Sequence, residues 1–394
     1  MSLLAIPAAL LAGVGAGQAV AGWLAARRFR RTPDLPPGER PAVTVLKPLH
    51  GDEPMLEQAL ASLCAQDYPD YQIVFGVQNP ADSALAVVER LRARFPGRDI
   101  AVVVDPAAHG SNHKVSNLIN MLPAARHDVL VIADSDVHCA PDYLEQIVRS
   151  LAVPGTGLVT TLYAGVAATP TVAGALGASW INHSFLPGAL LARRLGRQDC
   201  LGATMALRRE VLASVGGLEA LADYLADDHM LGRLVQQQGL AVRLAATVVS
   251  TTVPEASLRA LFRHELRWAR TILALVPAEF TLSALQYPLF WAVLAMALAG
   301  GDALAVALFL GVWAVRAATA RAIDRTLGLT KSVLATTAPI WLFPLRDLMS
   351  ITVILVSYGS DRVEWRGQVM HTGRGSAEAG VPTQANPHGR APAT

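Results

Sequence analysis

The sequence predicts an α/β domain enclosed by membrane-spanning helices. Between residues 42 and 250, short strand-like runs alternate with helix-like segments, which is typical of an α/β domain. Hydrophobic residues make up 52% of the chain and charged residues 16%, against about 45–50% and 25% in soluble domains. A mean hydropathy of +0.36 indicates membrane segments, and a net charge of +2 gives no support for nucleic acid as a partner.

The N-terminal segment is predicted to be a transmembrane helix over residues 1–26. Residues 3–25 carry no charge and are long enough to cross a bilayer. A cluster of arginines follows this run, whereas a signal peptide has its positive charges before it. The positive-inside rule then puts the linker, residues 27–41, and the domain after it in the cytoplasm.

Four predicted strands of the domain each end in a polar loop. Because ligands of α/β sheets bind beyond the carboxyl ends of the strands, these loops predict a nucleotide site at one edge. Helices are predicted between the strands, at 54–66, 83–95 and 114–122. The strands are predicted at 43–46, 71–77, 100–104 and 128–133.

Asp134-Ser135-Asp136 follows the last of these strands and is the strongest candidate for a metal site. Two carboxylates so close together repel one another unless a cation lies between them. Their hard oxygen atoms suit Mg²⁺ or Mn²⁺ shared with substrate phosphates. The alternative is a solvated turn at a strand end, since Asp and Ser are common in turns.

Lys114 follows a polar loop, residues 110–113, at a predicted helix start, where backbone N–H groups and the ammonium could bind a diphosphate. The alternative is an ordinary helix-entry loop. Neither GxGxxG nor GxxxxGK[ST] occurs in the sequence.

The next segment, residues 171–195, is mostly apolar, is broken at Pro187 and contains His183. A lone histidine in such a stretch is more often a satisfied core residue than a ligand. Residues 199–206, which include Cys200, are predicted to be a strand.

Asp228 stands before the predicted helix 230–238 and is a candidate general base, because an attacking alcohol must lose its proton. The alternative is that Asp227 and Asp228 favour the helix start. Residues 251–282 are predicted to form an interfacial helix, with Arg263, Arg267 and Arg270 on one face and Trp268 at the membrane boundary. The alternative is a basic helix that lies on anionic headgroups without a catalytic role.

The C-terminal region, residues 283–360, is predicted to return to the membrane. A helical hairpin is expected over 287–299 and 303–315, and Arg316, Arg321 and Arg325 put its return end in the cytoplasm. Residues 333–358 contain Arg346 and Asp347, which favours an interfacial piece followed by a short span. The tail, residues 361–394, is predicted to be disordered.

Together these residues resemble the processive-type family-two glycosyltransferases, and most closely the ceramide glucosyltransferase group, family 21, which includes bacterial enzymes of hopanoid biosynthesis. The resemblance covers about residues 42–280 and the membrane layout. Asp82, Asp134 and Asp228 match the family's three aspartate motifs, and Arg267-Trp268 match the end of its (Q/R)xxRW motif.

The resemblance implies a GT-A fold, which is a Rossmann-like mixed sheet, a UDP-sugar donor and inversion at the anomeric carbon. Asp82 would hold the uridine end, with Lys114 and Asp134 near the diphosphate. Asp136 would complete a metal site with Asp134, whereas eukaryotic ceramide enzymes typically keep only the first acid. Cys200 resembles a donor-site cysteine of this group.

On the acceptor side, the resemblance implies that Asp228 is the base and that Arg267 and Trp268 support the leaving diphosphate and the acceptor. His264 stands where the family has Gln or Arg. His183 lies near the position of a histidine of the ceramide group.

The sequence therefore predicts a membrane-bound inverting enzyme that transfers glucose or N-acetylglucosamine from a UDP-sugar to the hydroxyl of a ceramide or hopanoid. Its predicted location is the bacterial inner membrane, with the catalytic domain in the cytoplasm. One alternative is a polyprenyl-phosphate glycosyltransferase, which would show a basic cluster at the acceptor mouth. Another is an inactive membrane scaffold.

Overall fold

A computed structural model confirms an α/β domain beside apolar helices from both ends of the chain. The structure describes residues 2–32, 35–36, 38–329, 339–360, 362–365 and 368–371. The predicted tail, residues 361–394, contains two short antiparallel strands at 362–365 and 368–371. Its other residues lie outside the described part of the chain.

The domain is built on one eight-stranded sheet. Its strands are β1 (Val43–Pro48), β2 (Tyr71–Val77), β3 (Asp99–Val104), β4 (Val129–Ala133), β5 (Val137–His138), β6 (Thr156–Ala167), β7 (Thr204–Arg208) and β8 (Ala241–Val253). Their order across the sheet is β3-β2-β1-β4-β7-β6-β8-β5.

Strands β1 to β4 run parallel, so their carboxyl ends share one edge of the sheet, which we call the site edge. Strand β7 runs antiparallel to β4, with Thr204 opposite Ala133. The residues just before Thr204 therefore also lie at the site edge. The expected meeting of polar loops at one edge is observed.

The predicted strand 199–206 begins only at Thr204, which corrects the sequence-based boundary. The side-chain hydroxyl of Thr160 on β6 donates to the carbonyl of Leu201 at 2.7 Å and accepts from its N–H at 3.0 Å. Both backbone groups of Leu201 are therefore bonded to a side chain rather than to a neighbouring strand, and residues 202–203 form a turn.

Helices cover both faces of the sheet and enclose two apolar cores. One face carries α2 (Leu56–Cys64), α3 (Ala84–Arg94) and α5 (Tyr143–Leu151), and the other carries α4 (His113–Met121), α8 (Arg209–Ser214) and α9 (Asp227–Gln237). The sheet is thus buried on both sides, which explains the continuous apolar runs of its parallel strands.

The expected break at Pro187 is absent. Helix α6 (Val172–Trp180) continues through a π-helical turn, residues 181–185, into α7 (Leu186–Arg194). Pro187 has no N–H to donate and comes directly after this π-helical turn, in which the N–H of Leu186 donates to the carbonyl of Ile181. The wider turn accommodates the proline, so the chain remains helical.

The remaining helices form the apolar part of the molecule. Three helical stretches, residues 5–30, 303–327 and 340–357, are long and apolar enough to cross a membrane, and a pair bent by 67° at residue 287 adds a fourth if it is one span. The helices outside the α/β domain are α1 (Ala5–Arg30), α10 (Leu258–Leu275), α11 (Pro277–Leu282), α12 (Pro288–Leu298), α13 (Ala303–Leu327) and α14 (Phe343–Ser357). Of these, α10 is not among the candidate spans.

The predicted hairpin between α12 and α13 is present. Gly300 and Gly301 have φ of 65° and 73°, a backbone conformation that suits glycine. Asp302 then caps α13 by accepting a hydrogen bond from the N–H of Ala305 at 2.8 Å.

The charges of α14 are buried and paired. Arg346 donates to both carboxylate oxygens of Glu265 on α10, at 2.7 and 2.6 Å. Asp347 accepts from the N–H of Leu289 at 3.0 Å and lies 3.7 Å from Arg316. The expected interfacial piece is therefore one helix over its described residues, because its charges have partners inside the bundle. Residues 330–338 lie outside the described part.

Two glycines of α1 allow close packing and give a matched test. A Cβ atom on Gly15 would lie 2.4 Å from the carbonyl oxygen of Leu285, whereas one on Gly13 would meet nothing within 4 Å. Gly15→Ala should lower the free energy of unfolding by about 1–3 kcal/mol. Gly13→Ala should be neutral or stabilising by up to about 1 kcal/mol. Thermal unfolding in detergent measures both, and equal effects would contradict this packing.

Candidate active site

Asp134 and Asp136 lie at the site edge, directly after β4. The N–H of Val137 donates to the Asp134 carbonyl at 3.2 Å and closes a turn around the two acids. Between them, the Ser135 hydroxyl donates to Glu53 at 2.5 Å. The Asp136 carboxylate accepts a hydrogen bond from Thr251 on β8. The loop is thus held from the β1 side and from the β8 side of the sheet.

The surroundings of Asp136 disfavour the ionised form of its carboxyl group. Burial raises the pKa of its carboxyl to about 6, and the negative charge of Asp134 adds to this shift. A divalent cation between the two acids would remove that repulsion, so the site has the charge and the hard oxygen atoms that such an ion needs.

The described residues contain no group of three or more His, Cys, Asp or Glu side chains that could hold an ion. The protein would therefore supply two carboxylates, and the remaining ligands would come from substrate phosphates and water.

Lys114 begins α4 and links two acidic loops. Its Nζ lies 2.8 Å from Asp134 and 3.3 Å from Asp227. Burial opposes its charge, but Asp134 and Asp227 outweigh this and raise the pKa of the ammonium. The side chain of Asn112 caps α4 by accepting from the N–H of Val115 at 3.1 Å, which fixes Lys114 at the helix start.

Asp228 lies in the first turn of α9, beside the turn that precedes β7. Its carboxylate accepts from the N–H of His229 at 2.8 Å. A Cβ atom on Gly202 would lie 2.8 Å from this carboxylate, so a larger residue there would displace the Asp228 side chain. Burial raises the pKa of Asp228 to about 6, with a further contribution from Asp227 that Lys114 opposes. A carboxyl with this pKa can take a proton near neutral pH.

Cys200 packs against the same helix. A Cβ atom on Gly232 of α9 would lie 2.9 Å from the Cβ of Cys200. Burial and the charge of Asp228 raise the pKa of the thiol well above its usual value. The thiol therefore stays neutral, and Cys200 contributes packing at the site rather than a nucleophile.

Asp82 lies after β2 and stabilises the neighbouring loop. One carboxylate oxygen accepts from the N–H groups of Gly51 and Ala84, each at 2.9 Å. The other lies 3.9 Å from His50. These described contacts join Asp82 to the start of α3 and to the loop after β1, and not to Lys114.

Tyr163 and Lys47 complete the site, although the sequence did not single them out as site residues. Burial raises the pKa of Tyr163, and so do the charges of Asp228, Asp134 and Asp136, so this β6 residue lies among all three acids. Lys47 on β1 is fully buried and donates to the Val137 carbonyl at 3.2 Å. Local sequence gives no signal for either residue, because strand pairing brings them to the acids.

A cavity of about 390 Å³, including its open mouth, extends from Asp136 to α10. Trp268 and His264 lie on its α10 side, with ring centroids 4.7 Å apart. The ring centroids of Trp180 and Trp268 are 5.5 Å apart. The described lining residues are Asp136, Gly177, Trp180, Ile181, Thr251, Thr252, Val253, Glu255, Leu261, His264, Glu265 and Trp268.

The three arginines on the basic face of α10 differ in their exposure to solvent. Arg263 is exposed, whereas Arg267 and Arg270 are half-buried. The opposite face buries Leu261, Glu265 and Ala269 at four-residue spacing. His264 and Trp268 of the predicted motif thus line the cavity, and Arg267 lies beside them in sequence without lining it.

His183 lies outside this cavity, among the membrane helices. Its Nε2 is 2.8 Å from Asp324 and its Nδ1 is 3.1 Å from the Ser179 hydroxyl. Both ring nitrogens are bonded, which is the arrangement of a satisfied interior histidine.

Comparison with protein-family models matches residues 7–378 to the family described as Glycosyl transferase family 21. Ceramide glucosyltransferase 1 of Caenorhabditis elegans is 23% identical over 252 residues, which cover 62% of this chain and 53% of that protein. The ceramide glucosyltransferase of Komagataella phaffii is 32% identical over 130 residues, or 32% of this chain and 26% of that protein. The chain thus matches about half of the first relative's length and a quarter of the second's.

Among solved structures, the mannosyltransferase PcManGT from Pyrobaculum calidifontis, in complex with GDP-Man and Mn²⁺, is similar with a TM-score of 0.52. The identity is 20%, and the match covers 90% of this chain and 99% of that one. The likeness confirms the predicted GT-A fold.

Proposed function

The chain belongs to glycosyl transferase family 21, and from this premise we propose that it transfers a hexose from a UDP-sugar to the hydroxyl of a membrane lipid. The acceptor would be a ceramide or a hopanoid, and the sugar glucose or N-acetylglucosamine. The match to ceramide glucosyltransferases supports the choice of a lipid alcohol.

The observation that carries this proposal is the cavity between Asp136 and α10. One end is lined by Asp136 of the site edge, and the other is formed by α10, which packs on the apolar bundle. A lipid hydroxyl entering from the bundle would therefore reach the place where the sugar is bound.

On the donor side, Asp82 would hold the uridine end, and Lys114 would lie near the diphosphate. Asp134 and Asp136 would hold Mg²⁺ or Mn²⁺. Burial and the charge of Asp134 raise the pKa of Asp136, and a bound cation would offset both effects, which supports this assignment. When bound, such an ion stabilises negative charge on the departing diphosphate.

In the reaction, the acceptor oxygen attacks the anomeric carbon and forms the new glycosidic bond. The bond from that carbon to the UDP oxygen breaks, and UDP leaves with the electron pair. Asp228 takes the proton of the acceptor hydroxyl. A single displacement inverts the anomeric configuration. Arg267 and Trp268 would support the leaving group and the acceptor.

The charge of the cavity favours a neutral acceptor. Its described lining contains no lysine or arginine, and besides Glu265, which is paired with Arg346, it contains the carboxylates of Asp136 and Glu255. A polyprenyl phosphate would bring negative charge against these groups, and the basic cluster expected for such an enzyme does not line this cavity. The retained acids at the site edge also speak against an inactive scaffold.

We propose that the enzyme lies in the bacterial inner membrane with its domain on the cytoplasmic side. The arginines at the C-terminal end of α1, Arg27, Arg28, Arg30 and Arg31, support this orientation. Arg316 contributes less than its sequence position suggests, because it is buried and bonded to the His183 carbonyl at 2.7 Å.

Mass spectrometry of lipid extracts from cells with and without the protein tests the proposal. A lipid heavier by one hexose or one N-acetylhexosamine should appear only with the active protein, and its mass identifies sugar and acceptor together. Identical lipid profiles would contradict the proposed function.

Removal of the metal should stop the reaction. With excess EDTA, transfer by the purified enzyme should fall to background, and Mg²⁺ or Mn²⁺ should restore it, because two carboxylates and a diphosphate cannot share the site without a cation. Transfer assays with added ions measure this. Ca²⁺–EDTA serves as the control, and activity unchanged by EDTA would remove the metal from the mechanism.

The pH dependence should follow Asp228. Its pKa is raised to about 6, so the base form is present above this pH and is lost below it. We expect kcat/KM at saturating Mn²⁺ to be level above about pH 7 and to fall about tenfold per pH unit well below 6. Asp227→Asn should move the midpoint lower, because it removes a repelling charge. A midpoint that does not move would contradict this assignment.

A further inference from the structure

We propose that the ends of three apolar helices form a binding surface for an anionic phospholipid. Its ligand is a phospholipid whose headgroup carries net negative charge, distinct from the lipid that accepts the sugar. The inference goes beyond the proposed function and does not depend on it. The surface, which we call the basic surface, consists of exposed arginines at the C-terminal ends of α1, α7 and α13, namely Arg27, Arg28, Arg30, Arg31, Arg194 and Arg325.

The first step is that these three helix ends meet. One buried apolar cluster contains residues from all of them, and the arginines follow these packed residues along each helix. A Cβ atom on Gly22 of α1 would lie 2.8 Å from the Cβ of Pro187, so α1 and α7 are in direct contact. Packing therefore brings together charges that are far apart in the sequence. The buried members of the cluster on these helices are Ala25, Ala26, Leu186, Leu190 and Ile323.

The second step is that the charge of the basic surface is not neutralised by the protein. Neighbouring arginines do have acidic partners: Arg197 lies 2.8 Å from Asp199, and Arg321 lies 3.8 Å from Asp324. Among the residues that the structure describes, no carboxylate forms such a pair with an arginine of the basic surface. Its guanidinium groups can therefore bind an anion from outside the chain.

The third step places the basic surface at a membrane boundary. Trp23 precedes Arg27 by one helical turn, and the guanidinium carbon of Arg27 lies 5.9 Å from the centre of its ring. Tryptophan and arginine are both typical of the cytoplasmic end of a span. Beside the arginines, Leu24 and Leu195 are 45% and 86% exposed. Charge next to exposed apolar side chains suits a headgroup that carries acyl chains better than it suits a soluble anion.

The inference differs from the rule that positive charge marks the cytoplasmic side. That rule counts arginines by sequence position and predicts orientation alone. Clusters of four to eight basic residues at this level of a membrane bind anionic headgroups, and each contributes about fivefold in affinity. The basic surface reaches such a number only because α1, α7 and α13 pack together. Selective and salt-sensitive retention of anionic lipid is therefore expected.

The test uses the full chain in vesicles that contain equal amounts of phosphatidylcholine and phosphatidylglycerol with the same acyl chains. After gentle extraction in mild detergent, mass spectrometry measures the lipids that stay with the purified protein. Phosphatidylglycerol should be enriched at least about tenfold, because two or more arginines can contact one headgroup. Arg27→Gln/Arg28→Gln/Arg325→Gln should bring the ratio close to one. Raising the salt concentration from about 0.1 M to 1 M should also lower it, since screening weakens exposed charge pairs.

A matched control removes three exposed arginines from the α/β domain instead. Arg92→Gln/Arg94→Gln/Arg233→Gln makes the same change in net charge and should keep the full enrichment. Glycerol phosphate in excess tests the alternative ligand, a soluble anion. It should displace little phosphatidylglycerol, because it has no acyl chains.

A second variant, Arg30→Gln/Arg31→Gln/Arg194→Gln, should also lower the enrichment, and it serves if the first variant folds poorly. Three results would overturn the inference: no enrichment in the wild type, equal enrichment in the basic-surface and control variants, or full displacement by glycerol phosphate. Lipid retention is measured without any transfer reaction. If the enzyme transferred no sugar, the proposed function would fail while a selective retention of phosphatidylglycerol would still support this surface.

Discussion

Replacement of Asp228 by asparagine is expected to lower kcat by about 10²–10⁴-fold, the range that general bases contribute. The amide has the size of the carboxylate and can still accept from the N–H of His229. It cannot take up the proton of the acceptor hydroxyl. UDP-sugar binding should therefore persist while transfer is lost.

Steady-state transfer rates and UDP-sugar binding by calorimetry check this expectation. Asp70→Asn is a suitable control, because Asp70 is exposed at the start of β2, on the edge opposite the site. It should behave as wild type. Normal turnover by the Asp228 variant would refute the base assignment.

Arg346→Met should lower the free energy of unfolding by about 3–5 kcal/mol, the cost of leaving one partner of a buried ion pair alone. Arg346 is fully buried, and both of its terminal nitrogens bond Glu265. Without the guanidinium, the Glu265 carboxylate would stay buried with no opposite charge.

The double variant Arg346→Met/Glu265→Met should recover most of this loss, because two apolar side chains can fill the same space. Arg263→Met is the matched control on the exposed side of α10 and should change stability by less than about 0.5 kcal/mol. Unfolding of the purified protein in detergent measures all three. A double variant no more stable than Arg346→Met would contradict the pairing.

The parallel half of the sheet could be predicted from the sequence because its signals are local. The short apolar run of β2 was predicted with its observed bounds, and β4 within one residue. Polar loops after these strands then placed Asp82, Asp134 and Asp136 at one edge through a general property of parallel sheets.

The other half depends on contacts between distant parts of the chain. Strands β6 and β8 pair with each other over most of their length, with two register shifts, and neither has a simple alternating pattern. Tyr163 and Glu255 reach the site only through this pairing. No local pattern could therefore select them as site residues.

The pairing of charges among the apolar helices could not be predicted from local sequence either. Arg346 and Asp347 suggested an interfacial piece, because unpaired charges are costly in a bilayer. Their partners, Glu265 and Arg316, come from other helices. Only the assembled bundle shows that the charges are compensated.

The pairing of Arg346 with Glu265 also has a mechanical consequence. Glu265 is bonded to Arg346 of α14, part of a stretch long and apolar enough to cross a membrane, and the preceding residue, His264, lines the cavity. A thinner or thicker bilayer changes the tilt of such helices. Turnover is therefore expected to respond to the thickness of the host membrane as well as to the concentration of acceptor within it.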